Sequence, residues 1–227
     1  MLNTDLLDQE VQSLFQRIRT NLTLPECPPE RLEYYIKEHS GFSRHNPMLL
    51  SVASENSQSA PAISVELQRN SDEESGASGE ESHFAIYTDG LRESFQFKVD
   101  EYVLSVETKG FLETMLDLCK SGSASKICGV FYATEAGAIP ELELVRNLTD
   151  LYSTSQENCQ PSEKLTYFFD LHLNGVEQEH KDGLGTFINH YEQHSLNLSE
   201  IHEGFSDSIA AMDTWWNNLK QAVIANN

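Results

Sequence analysis

An all-α bundle is the fold class this 227-residue sequence predicts, and three observations carry it. Apolar residues recur at three- and four-residue intervals along most of the chain. Prolines, in one place followed by a capping Ser, fall where helices begin. Two-residue alternation bounded by turns is scarce, and there is no internal repeat. Two Trp, eight Tyr and eleven Phe supply a core that one domain, residues 1–227, can bury.

Helical spacing first appears in Leu7, Val11, Leu14, Phe15 and Ile18. "CPPERLEYYIKEHSGF" follows, with prolines ahead of Leu32, Tyr35 and Ile36, and "NPMLLSVASE" and "APAISVELQRN" read as two further short helices. The acidic stretch "DEESGASGEESH" reads as a helix end and a solvated turn, with Glu74, Glu80 and Glu81 as surface carboxylates. "HFAIYTDGLRESFQFKV" and "GFLETMLDLCKSG" continue the helical period. "SASKICGVFYATEAGAIPELELVRNLTDLY" is apolar in its first half and is expected to end or kink at Pro140. "PSEKLTYFFDLHLNGVEQEH" starts from a Pro-Ser cap, and "DSIAAMDTWWNNLKQAVIA" closes the bundle with Ile209, Met212, Trp216, Leu219 and Val223 on one stripe. The total is about seven to nine helices.

Charge narrows the function. Fifteen Lys and Arg face 36 Asp and Glu, a net −21, which repels phosphate backbones and anionic lipid. Nucleic acid and membrane partners are therefore not expected, whereas cations and a small-molecule substrate are. No run approaches the roughly 18 apolar residues of a membrane span. Four scattered cysteines without a C-x-x-C pair read as reduced thiols in a cytoplasmic protein.

The residues able to carry chemistry are acidic and imidazole side chains. In "LHLNGVEQEH", Glu177 and His180 lie about 60° apart on a helix, with His172 about 80° from His180 on the same face. A carboxylate and two imidazoles converging so make half a metal site, though charged helix faces also produce this spacing without one. Glu135 stands in the largely apolar "GVFYATEAGAIP", either on a polar stripe with Thr134 or as a buried carboxylate needing a partner. The histidines of "HYEQH", residues 190–194, read as a solvated face, because Tyr191 occupies the place of the zinc-protease glutamate. Tyr132 and Tyr167 read as core packing. Phosphate-binding, nucleophile-elbow and dinucleotide motifs are absent.

Three segments in this order resemble the chlamydial death-domain-associating protein (CADD-like) family, whose members are heme-oxygenase-like helical proteins, many with two irons. "NSDEESG" followed by His83 is similar to a family segment in which the first Glu of the pair and the downstream His bind iron, which implies Glu73 and His83. "GVFYATEAGAIPEL" is similar to the helix that supplies a shared carboxylate, implying Glu135. "YFFDLHLNGVEQEH" is similar to the segment that supplies His172, Glu177 and His180. Two departures stand out: the spacer from Glu73 to His83 is longer than the family's, and Val176 occupies the family's ligand position. On a regular helix His172 and Glu177 lie about 140° apart, and a one-residue π-bulge near Gly175 is expected to realign them.

The resemblance implies a heme-oxygenase-like bundle holding two Fe, or manganese, with O2 as co-substrate. Glu73 and His83 would hold one ion and His172, Glu177 and His180 the other, with Glu135 bridging. Relatives oxidise varied substrates by N-oxygenation and carbon–carbon cleavage, so the substrate stays open. Heme is not expected, since no His precedes His39 in the first helices. The alternatives are a metal-free enzyme related to pyrroloquinoline-quinone synthase or thiaminase II, and a non-enzymatic interaction protein. A homodimer is the expectation from the fold alone.

Overall fold

Helix caps and apolar stripes set the elements, and the computed structural model describes them for residues 3–77, 79–157 and 159–225. Nine α-helices stand among these residues, with no strand: α1 (Thr4–Leu22), α2 (Pro29–Asn56), α3 (Pro61–Ser75), α4 (His83–Phe95), α5 (Val106–Ser121), α6 (Ala124–Ser155), α7 (Glu163–Leu171), α8 (Glu177–Asn189) and α9 (Leu198–Ala225). Asn3, Ser82, Ser105, Ser123 and Ser162 each accept a backbone N–H at the start of a helix, satisfying a donor the helix cannot. No helix among the described residues is long and apolar enough to cross a membrane. The four cysteines are free.

The 32-residue α6 is the axis of the bundle. It packs against α9, α8, α2 and α1, while α4 pairs with α7 and α3 lies on α2. Such a helix is buried on nearly every side, which explains why its first half reads as apolar all round. The crossing of α6 with α9 is close because glycine faces it from both sides. A Cβ on Gly129 would collide with the carbonyl of Ile201, and one on Gly204 with the carbonyl of Lys126.

Three boundaries differ from the sequence reading, two of them for one reason. The segment around "NPMLLSVASE" is not a separate helix; α2 runs straight through Pro47, and α6 likewise continues through Pro140. An interior proline costs about 3 kcal/mol in an isolated helix, but here both flanks of each helix are anchored by burial. Nearby donors also hold the backbone at both prolines. The Ser71 hydroxyl donates to Pro47 O at 2.8 Å, and Arg19 donates to Pro140 O at 2.8 Å. The last helix begins at Leu198, ahead of the "DSIAAM" start. Tyr132 is buried, but Tyr167 is 56% exposed, so its reading as core fails.

Gly129→Ala is expected to lower stability by about 1–3 kcal/mol through overpacking at the α6–α9 crossing. Gly110→Ala on α5, where a Cβ meets open space, is expected to raise it by about 0.5–1 kcal/mol. Denaturant melts of the two variants check both signs.

Candidate metal centre

Six buried ligand-type side chains converge inside the bundle from α3, α4, α6, α7–α8 and the turn between them. They fall into two groups: Glu74, His83 and His172, and Glu135, Glu177 and His180. Within each group the ligand atoms lie within 4.8 Å of one another.

The first group is assembled at two helix ends. α3 stops at Gly76, whose left-handed backbone (φ 70°) needs no Cβ, and α4 starts at His83 behind the Ser82 cap. His83 Nδ1 thereby comes within 3.0 Å of Glu74 Oε1 and 3.1 Å of His172 Nε2. The His172 ring is fixed by Nδ1–H, which donates to the Phe168 carbonyl at 2.7 Å and leaves Nε2 as the inward lone pair. Two imidazole nitrogens 3.1 Å apart need a shared proton or a common cation between them.

The second group depends on a five-residue π-turn, His172–Val176, between α7 and α8. Gly175 leaves the helical backbone there (φ 170°, ψ −53°), absorbing the extra residue. The expected bulge is present, and it brings His172 Nε2 to 4.0 Å from Glu177 Oε1, which joins the two groups. His180 Nδ1 stands 3.5 Å from Glu135 Oε2. Both His180 Nδ1 and Glu135 Oε1 are buried without a hydrogen-bond partner. Such orphaned polar atoms are rare in a folded core, and a cation held there would satisfy both.

Burial dominates the titration of the cluster. It pushes Glu177 well above the usual carboxylate range, and the neighbouring Glu135 and Glu74 charges push further in the same direction. Burial pulls His180 down, but Glu135, Glu177 and Glu74 outweigh it and carry the ring up to about 10. His172 is lowered by burial. Burial raises Glu74, yet the hydrogen bond and charge of His83 leave it below its usual value. Three carboxylates in one apolar interior thus draw in positive charge, as protons or as metal.

Five of the six residues expected from sequence come together here; Glu73 does not. Its side chain is 35% exposed, whereas Glu74 is buried, the reverse of the sequence reading. The buried face of α3 carries Ile63, Leu67, Asn70, Ser71 and Glu74 at three- and four-residue steps, and Glu73 falls beside it. That phase could have singled out Glu74 from sequence. Glu73 instead accepts a hydrogen bond from His180 Nε2 at 3.2 Å and one from Arg69 at 3.3 Å, so it holds the back of the ring whose front faces Glu135. The grouping also differs from the expected one. His172 sits with His83, and Glu135 sits with Glu177 and His180. The "HYEQH" histidines lie in turns after α8, apart from the cluster.

A cavity of about 40 Å³ adjoins the cluster; Glu74, Glu135, Glu177 and His172 line it together with His39, Phe42, Asn46, Glu141, Leu142 and Phe168.

Comparison with known proteins places this architecture. Residues 3–222 match the profile of a domain of unknown function with a solved structure, DUF3865. A CADD-like protein of unknown function from Nostoc punctiforme is 27% identical with a TM-score of 0.81, over 96% of this chain and 97% of that one. A domain of unknown function with a heme oxygenase-like fold from Shewanella denitrificans is 13% identical, TM-score 0.71, over 98% and 94%. A TenA homologue from P. horikoshii is 11% identical, TM-score 0.63, over 97% and 99%. The last two likenesses carry the fold alone. No curated protein matches the chain. The fold is heme-oxygenase-like and all-α, and the CADD-like resemblance read from three motifs holds over the whole described chain.

In chelator-treated protein, His180 binds a proton in the folded state up to about 10 but only to its ordinary 6.5 when unfolded. Its stabilising contribution is complete below 6.5 and is lost as pH rises toward 10. The melting temperature is expected to fall across that window, and a flat profile would contradict the proton assignment.

Proposed function

This chain belongs to the DUF3865 family, and we propose that it is a non-heme di-metal oxidase or oxygenase holding two Fe ions, or manganese, with O2 as co-substrate and a small organic molecule as substrate. The observation that carries this reading is the pair of buried three-residue groups, with His180 Nδ1 and Glu135 Oε1 of the second left without a hydrogen-bond partner. Three carboxylates against two divalent ions leave a nearly neutral site, and mixed imidazole and carboxylate ligation suits iron and manganese. Helical bundles hold di-metal centres with this same Glu and Glu-x-x-His vocabulary.

Glu74, His83 and His172 would hold one ion and Glu135, Glu177 and His180 the other. Bound there, the ions would supply Lewis acidity and one-electron redox chemistry toward O2. The chain's own residues prepare the ligands. The Phe168 carbonyl fixes the His172 tautomer so that Nε2 faces inward. Glu73 does the same for His180, holding Nε2–H and leaving Nδ1 free. The surrounding Phe168, Tyr87 and Phe169 exclude water, since Tyr87 stacks on Phe168 at 4.4 Å and Phe168 packs on His172 at 4.3 Å.

Protein purified from iron-supplemented cells is expected to carry about two metal ions per chain. Glu135→Ala and His180→Ala should lose one or both, and Glu74→Ala should lose metal where an isolated surface carboxylate would not. Less than about half an equivalent in the wild type, unchanged in these variants, would overturn the reading in favour of a metal-free enzyme or binding protein of the same fold. Glu73→Ala is expected to weaken metal affinity by about 10–100-fold without removing a ligand, and Glu73→Gln, which can still accept from His180, to weaken it less.

A further inference from the structure

Glu141 is a buried carboxylate that the metal groups do not use. It lies six residues beyond Glu135 on α6, about 9 Å along the helix axis, and is 3% exposed. Trp216 Nε1 donates to its Oε1 at 2.8 Å. No other hydrogen bond and no salt bridge reaches it among the described residues. Glu38, equally buried, shows what a satisfied carboxylate looks like in this fold: Tyr102 OH, Ser105 N and Ser105 OH all donate to it. Glu141 has one donor where Glu38 has three, and burial, only partly offset by the Trp216 bond, pushes its carboxyl up to about 7.

Glu141 lines the cavity beside the cluster, together with Glu135 and Glu177. Asn46 lines the same cavity, and its Oδ1 is buried without a donor. Besides the two ligand-type groups, the cavity wall therefore offers two under-satisfied acceptors, one of them acidic. A glutamine would serve the Trp216 indole as well as a glutamate and would cost less to bury.

We propose that this wall is a binding site for a small primary amine, whose ammonium group donates to Glu141 and Asn46. An ammonium carries three donors and the missing positive charge, so it answers both deficits at once. A carboxylate or phosphate ligand would face Glu74, Glu135, Glu177 and Glu141 together, and a carbonyl compound has no donor to give. The aliphatic part of the amine lies along Phe42, Ala138 and Leu142 on the same cavity. As an assignment of substrate class this rests on the di-metal reading; as a binding site it does not.

The test uses full-length protein, metal-free and manganese-loaded, with n-propylammonium chloride, 1-propanol and sodium propionate as probes in ligand-observed NMR titrations. Propylammonium is expected to bind about tenfold or more tightly than either isostere in both forms. Glu141→Gln, which retains the acceptor for Trp216, is expected to remove that preference while metal content holds and the melting temperature does not fall. Equal binding of propylammonium and 1-propanol, or an unchanged preference in Glu141→Gln, overturns the proposal. Metal content measured on the same samples separates the two readings. An amine preference that depends on Glu141 in protein that takes up no metal sustains the site and sinks the oxidase, and metal uptake without that preference does the opposite.

Discussion

Three glutamates, Glu74, Glu135 and Glu177, are forced together in the interior of a helical bundle, and the surrounding structure answers their charge. Each would be costly to bury alone, and together they repel. Three imidazoles stand among them, and in the absence of metal a proton on His180 supplies part of the balance. The long α6 carries Glu135 through the centre, the α3 stop and α4 start bring Glu74 to His83, and the π-turn delivers Glu177 and His180. Unless a cation or protons fill the gap, the arrangement costs stability.

The supports behind the cluster matter as much as the cluster. His172 is aimed by a main-chain carbonyl on its own helix, so its orientation is tied to α7 itself. His180 is aimed by Glu73, a partly exposed side chain that also meets Arg69. One imidazole is therefore held by rigid backbone and the other by a contact that reaches the surface. The Glu73–His180 contact runs from a partly exposed side chain to the buried cluster, whereas Glu141 and Asn46 line the cavity beside it.

Much of the site was legible in the chain. The motif resemblance located His83, Glu135, His172, Glu177 and His180, and the count between His172 and Glu177 called for a π-bulge that the structure contains. Glu73 was chosen over Glu74 because the motif has two adjacent acids and the resemblance selected the first. The helical phase of Ile63, Leu67 and Asn70 would have selected the second. The partition of six ligands into two groups was not legible, because it depends on how α4 and α7 meet across the core.

The sequence by itself determined the helical class, the Ser162 cap of α7, the acidic surface and the identity of nearly all the ligand-type residues. These follow from periods, capping side chains and composition, which act over a few residues. Tertiary structure alone decided that α2 and α6 pass through Pro47 and Pro140, that Glu74 turns inward while Glu73 braces His180, and that Glu141 is buried with the Trp216 indole as its one donor among the described residues. Each of those outcomes is a balance between a local preference and burial against a distant helix. Only the assembled core sets the second term.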